Sequence, residues 1–172
     1  MTSFAAIDFE TANYAQNSAC ALGLVVVEDG RIVRRLHALI RPPSRQFVFT
    51  YIHGLTWRDV EEAPDFAEVW AAMADELRGV RFLAAHNAPF DRGVLGACCA
   101  TYGLAMPPQP FVCTVQLARA RWNIRPTRLP DVCRRLGIIL QHHQADSDAE
   151  ACARIVIAAL DSGWRGPAPT KP

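Results

Sequence analysis

Residues 4–11 read FAAIDFET and residues 20–40 read CALGLVVVEDGRIVRRLHALI, and these two stretches decide the fold. A short apolar run bounded by turn signals reads as a buried strand. Phe4–Phe9 is therefore expected as a strand with an acidic tip, followed by a polar loop over Thr11–Ser18. Cys20–Glu28, with Leu22, Leu24, Val25, Val26 and Val27, reads as a second strand. Asp29-Gly30 is a hairpin signal, because both turn positions need a left-handed backbone that Asp and Gly tolerate. Arg31–Ile40 then returns as an alternating strand, with Ile32, Leu36 and Ala38 expected on one face. Three antiparallel strands thus open the chain.

Beyond residue 40 the pattern changes. Arg41-Pro42-Pro43-Ser44 breaks the sheet pattern. Asp65 and Glu68 stand at capping-box spacing, and Phe66, Val69, Trp70, Met73 and Leu77 recur at helical spacing as one apolar stripe, read as core. Val80–Ala85 is another buried strand. Asn87 or Ala88 opens a helix with Pro89 in its first turn, which runs to Gly103. Phe111–Thr114 is a short strand. Helices are expected over Val115–Trp122, over Leu129–Leu136 with Gly137 as its stop, and from Asp146 to Leu160. This order argues for an α/β fold: a mixed sheet, its first three strands antiparallel and later ones parallel, with helices covering the faces.

Length and composition bound the function. The 172 residues, 51% of them hydrophobic, suffice for one domain with its own core. A single domain is expected over residues 1–160, with a disordered Gly- and Pro-rich tail over 161–172. No apolar run approaches the roughly 20 residues needed to span a bilayer, and the N-terminus lacks a basic n-region, so the expected location is cytoplasmic. The six cysteines form no C-x-x-C pair and read as buried free thiols of a reducing compartment. A net charge of +1 is a weak sign of nucleic-acid binding. Its distribution says more. With four of the 17 acids assigned to one metal site, 13 remain against 18 basic residues, which leaves +5 for the rest of the protein. All the basic residues but Lys171 are arginine, whose planar fork suits phosphate.

Four local patterns can carry chemistry. Asp8 and Glu10 lie two apart in a strand, so their carboxylates share a side; alone, D-x-E at a strand end is common. Asp91 in His86-Asn87-Ala88-Pro89-Phe90-Asp91 falls in the first turn of a helix, where the macrodipole favours a carboxylate; alone, it reads as an ordinary helix-start acid. His143 and Asp148 fit H-x-A-x-x-D at the start of the last helix; alone, His142 and His143 read as a surface loop. Thr56 with Asp59 resembles a helix cap, while the functional reading of Ile52-His53-Gly54-Leu55-Thr56 makes Leu55 an exposed apolar wedge. Oxygen ligands without sulfur select hard cations such as Mg²⁺ or Mn²⁺. Four clustered carboxylates repel one another at neutral pH unless divalent ions sit among them. Two such ions can stabilise both the attacking and the leaving oxygen of a phosphoryl displacement, and a histidine can take the proton of the attacking water.

Taken in order, these motifs resemble the DnaQ-like, or DEDDh, 3′-5′ exonucleases, a family that includes the proofreading epsilon subunit of bacterial DNA polymerase III. The resemblance covers Phe4 to Leu160. It rests on Asp8, Glu10 and Thr11, on Asn87, Phe90 and Asp91, on His143, Ala145 and Asp148, and on Ile-His-Gly-Leu-Thr at 52–56. It implies an RNase H-like fold with a five-stranded mixed sheet and helices on both faces. It also implies roles. Asp8, Glu10 and Asp148 would hold a first divalent ion, with Asp8 bridging to a second supported by Asp91. His143 would be the general base, favoured over His142 by its register with Ala145 and Asp148. Thr11, Leu55, Asn87 and Phe90 would contact the substrate, while His53 and His86 are read as structural. The implied activity is metal-dependent release of nucleoside 5′-monophosphates from the 3′ end of single-stranded DNA. RNA trimming by the same mechanism is the alternative, and a non-catalytic module that grips 3′ ends is a third reading. The sequence supports no polymerase partner and no membrane.

Overall fold

The computed structural model describes residues 3–167. Strands β1 (Ser3–Thr11), β2 (Ala19–Glu28) and β3 (Arg31–Leu39) form the expected antiparallel meander, and β4 (Leu83–Ala85) and β5 (Phe111–Cys113) join parallel to β1 in the order β3-β2-β1-β4-β5. Asp29 and Gly30 both take positive φ, 48° and 76°, the geometry that matches a tight hairpin to strand twist.

Helices α1 (Thr50–His53), α2 (Trp57–Val60), α3 (Phe66–Met73) and α4 (Ala88–Thr101) precede β5, and α5 (Thr114–Trp122), α6 (Leu129–Leu136) and α7 (Ala145–Asp161) follow it. The two faces of the sheet are covered by different helices. Ala5, Ile7 and Phe9 of β1 pack with Phe66, Val69, Trp70 and Met73 of α3 and Val94, Leu95 and Cys98 of α4. Phe4 and Ala6 point the other way, to Leu117, Val132, Cys152, Ile155 and Val156 of α5, α6 and α7. Period-two alternation therefore sends Asp8 and Glu10 to the α7 side, beyond the apolar part of the strand.

Three expectations need correction. Ile32 does not share a face with Leu36 and Ala38: an irregularity pairs Val26 with Arg34 but Val27 with Ile32, so one extra residue flips Ile32 to the α7 side. The strand expected over Val80–Ala85 forms a ladder only over Leu83–Ala85. The tail expected to start at residue 161 is ordered further: Asp161 closes α7, and Trp164 packs edge-on against Phe82 at 5.9 Å, an apolar contact that holds the chain down. Residues 168–172 of that expectation lie outside the described residues. All six cysteines are free.

Candidate active site

The site forms where strands end and helices begin. Asp8 pairs across the ladder with Gly23. A Cβ on Gly23 would stand 2.0 Å from the Ala145 carbonyl oxygen, so α7 starts directly on the sheet at the one place where β2 lacks a side chain. Asp148, the fourth residue of α7, is thereby brought to the acidic tip of β1. One carboxylate oxygen each from Asp8, Glu10 and Asp148 lie within 4.8 Å of one another. Asp91, the fourth residue of α4, comes in from the neighbouring helix; it is almost wholly buried and its Oδ1 accepts from the Phe9 N–H at 3.1 Å. The turn before it is made by Asn87 at φ 70°, a left-handed conformation that asparagine tolerates. The Asn87 side chain makes no cap, so its contribution here is the turn itself.

The histidine pair closes the other side. His142 Nδ1 lies 3.0 Å from Asp148 Oδ2, and the same oxygen accepts the His143 backbone N–H at 3.1 Å. The two rings stack at 3.7 Å. His143 holds φ at 67°, a left-handed conformation uncommon outside glycine, and its backbone bond to Asp148 helps to hold it there. Both rings have a nitrogen within 4.8 Å of an Asp148 oxygen, and only His142 makes the side-chain hydrogen bond.

Electrostatics follow from crowding. Burial pushes the Asp8 carboxyl well above the usual carboxylate range, and Asp91, Asp148 and Glu10 add repulsion. Burial, then Asp148, lifts Glu10 to about 7. Burial lifts Asp91 to about 8 despite the Phe9 N–H, with Glu10 and Asp148 adding to it. Asp148 is raised by burial and held back by the two histidines. Its Oδ1 is buried and lacks any hydrogen-bond donor. An orphaned acceptor among crowded carboxylates is what a cation would satisfy, and an all-oxygen set suits a hard divalent one. The residues present therefore fit a divalent metal centre. His143 is lowered by burial and by its neighbour His142, which favours the neutral imidazole.

Thr11 is buried, and its carbonyl accepts from His53 Nε2 at 3.1 Å. The Leu55 N–H donates to His53 Nδ1 at 3.1 Å, which fixes the proton on Nε2. Leu55 is half-buried against Ala12, Cys20 and Val60 and not the free wedge expected from sequence. Phe90 is exposed. His86 links Thr114 Oγ1 at 2.8 Å and the Thr127 carbonyl at 2.9 Å, a structural tie. Sequence reasoning missed Gly23, which looked like one more strand residue. It also missed the exposed Tyr14, whose ring meets that of the half-buried Phe49 edge-on at 4.8 Å; nothing in their spacing marks them.

An RNase H-like sheet with a carboxylate cluster at its strand ends defines the class. The RNase_T exonuclease family model matches residues 5–156. The chain belongs to this family, the DnaQ-like (DEDDh) 3′-5′ exonucleases, which use divalent metal ions. It is similar to the PolC-type DNA polymerase III of Oceanobacillus iheyensis, 33% identical over 153 residues, covering 86% of this chain and 11% of that protein. The PolC-type enzyme of Bacillus cereus is 29% identical over 162 residues, covering 91% and 11%. The chain thus spans about a tenth of the length of these curated relatives. Among solved structures, Exonuclease X in complex with 5′ overhanging duplex DNA superposes with a TM-score of 0.76 at 26% identity, covering 93% of this chain and 92% of that one. The nuclease domain of 3′hExo, a DEDDh family member bound to rAMP, has the same fold at a TM-score of 0.79 and 19% identity, covering 94% and 92%. No helix among the described residues is long and apolar enough to cross a membrane.

Proposed function

We propose that residues 1–160 of this chain form a 3′-5′ exonuclease domain that releases nucleoside 5′-monophosphates from the 3′ end of single-stranded DNA. The observation that carries this reading is the meeting of the Asp8, Glu10 and Asp148 carboxylates within 4.8 Å, beside the buried Asp91 and the histidine pair. DNA is favoured over RNA because the polymerase relatives that match nearly the whole chain are DNA polymerases. The same reading places the protein in the cytoplasm, in keeping with six unpaired cysteines.

Asp8, Glu10 and Asp148 would hold one divalent ion, and Asp8 and Asp91 a second, Mg²⁺ or Mn²⁺, which would supply Lewis acidity and offset negative charge on the phosphoryl oxygens. The chain's own residues do the rest. Asp148 keeps one oxygen for the ion and uses the other to orient the histidine loop. His143, neutral at pH 7, takes the proton of the attacking water at its imidazole. Thr11, held by His53, presents its backbone to the terminal nucleotide. Leu55 and Phe90 offer apolar surface to the last bases, a contact every base can make. Asn87 shapes the turn that delivers Phe90 and Asp91.

Digestion of a 5′-labelled DNA oligomer and its RNA twin in Mg²⁺, Mn²⁺ or EDTA tests the reading. A ladder shortening from the 3′ end is expected, faster on DNA, absent with EDTA and with Asp8→Ala. Equal ladders from wild type and Asp8→Ala would sink the proposal, and a faster RNA ladder would move the substrate.

A further inference from the structure

Beside the acid cluster opens a cleft of about 630 Å³, within the size range of ligand sites. Asp8 and Asp148 line it together with His86, Arg119, Arg125 and Arg128. Among the described residues those two aspartates are the only acids that line it. Arg128 is committed to Asp131 at 2.8 Å. Arg119 and Arg125 make no ion pair among the described residues. The Arg119 guanidinium is fixed at the wall, its Nε donating to Thr127 Oγ1 at 2.9 Å. The wall itself is fixed: His86 bonds the Thr127 carbonyl at 2.9 Å and Thr114 at 2.8 Å, which ties the α5–α6 linker to the end of the sheet.

Uncompensated guanidinium groups on a concave wall call for an anion, and their planar fork fits a phosphodiester. Placing the terminal nucleotide toward Thr11, Leu55 and Phe90 leaves the rest of the strand to depart on another side of the acids, and this cleft is contiguous with Asp8 and Asp148. We propose that Arg119 and Arg125 bind the phosphodiesters internal to the scissile one, so that the cleft is the channel for the upstream strand. This rests on the exonuclease reading above. The arginines read charge and spacing and are indifferent to base, as a strand-feeding site must be.

The test compares two substrates in Mn²⁺: a single-stranded DNA 20-mer, and the p-nitrophenyl ester of thymidine 5′-monophosphate, which has no internal phosphate. For Arg125→Ala, and for Arg119→Gln as a second variant, the ratio of oligomer KM to ester KM is expected to rise about tenfold. Binding of the labelled 20-mer, followed by fluorescence anisotropy in EDTA, should lose about 0.7 from the slope of log affinity against log salt for each phosphate contact removed. Arg78→Ala, which removes an equal charge from a distant surface pair, is expected to move neither quantity. Equal KM shifts on both substrates would mean that the arginines hold the product phosphate, and would overturn the proposal. So would no shift, or the same shift with Arg78→Ala. If wild type hydrolyses neither substrate, the exonuclease reading fails on its own, and the salt slope still decides the cleft: a loss confined to Arg125→Ala and Arg119→Gln supports it, and an unchanged slope overturns it.

Discussion

Gly23 lies opposite Asp8 in the ladder and beneath the first residue of α7, so one missing side chain sets the distance between two acids on different elements. Gly23→Ala would force the Ala145 backbone away from a Cβ that has nowhere else to go. Overpacking of this kind costs about 1–3 kcal/mol, and a shift of about 1 Å at a reacting centre can cost on the order of 100-fold in rate. A folded variant with kcat lowered about 100-fold and a weaker Mn²⁺ requirement curve is expected; wild-type kcat in the folded variant would show that α7 is not placed this way. His143 carries a second residue-scale prediction. A general base works only when unprotonated, and burial with the adjacent His142 holds its pKa below the ordinary 6.5. The rate should therefore rise with pH on the acid side of 6.5 and level off near neutrality, and His143→Ala should abolish that limb. If the limb survives in His143→Ala and vanishes in His142→Ala, the base is the neighbouring ring that bonds Asp148.

Helix α3 shows how much an element owes to local signals. Asp65 accepts the Glu68 N–H at 3.1 Å and Glu68 accepts the Asp65 N–H at 2.9 Å, so the box legible in the sequence is formed in full. Removing the cap costs about 1 kcal/mol, or roughly 2–4 °C for a domain of this size. Asp65→Ala is expected to lower Tm by that much with cleavage unchanged, since α3 packs on the face of the sheet opposite the one to which Asp8 and Glu10 point; lost cleavage at full folding would mean that α3 shapes the site. The same legibility holds for α6, which Gly137 stops at φ 69°, a conformation that glycine takes without a Cβ penalty. It fails where the decisive contact is tertiary. The irregularity beside Val26 leaves no local mark, so the face of Ile32 was misassigned. The one-turn helices α1 and α2 are too short to show a period, and their place is set by backbone bonds from Val48 and Phe49 to the Ala12 carbonyl. The order past residue 160 depends on Trp164 finding Phe82, which composition alone hides.

At the scale of the whole molecule, the fold gathers like charges that the unfolded chain keeps apart. The acids were legible because their chemistry resides in residue type and in short spacings, Asp8 with Glu10 and His143 with Asp148. The basic cleft was not, because Arg119, Arg125 and the acids meet only after His86 ties the α5–α6 linker to the sheet. Gathering acids has a consequence for stability. Asp91 moves from 3.8 to about 8 and Glu10 from 4.5 to about 7, so between about pH 4 and 8 the metal-free native state binds more protons than the unfolded chain. The contribution of these two groups to stability falls as pH rises through that window, the reverse of ordinary acid denaturation, and is opposed just below pH 6.5 by the lowered histidines His53, His86 and His143. A divalent ion that binds only the folded state should offset the loss by mass action. Thermal melts in EDTA should therefore show Tm falling from pH 5 to pH 8, by about 2–4 °C for each kcal/mol lost. Added Mn²⁺ should raise Tm most at pH 8, where the carboxylates are charged and unpartnered, and least at pH 5. Asp91→Asn removes a carboxyl lifted further than that of Glu10 and should flatten the EDTA profile. A Tm in EDTA that rises from pH 5 to pH 8, or a Mn²⁺ effect independent of pH, would mean that these carboxylates are not crowded in solution as they are here, and the metal centre built on their crowding would lose its support.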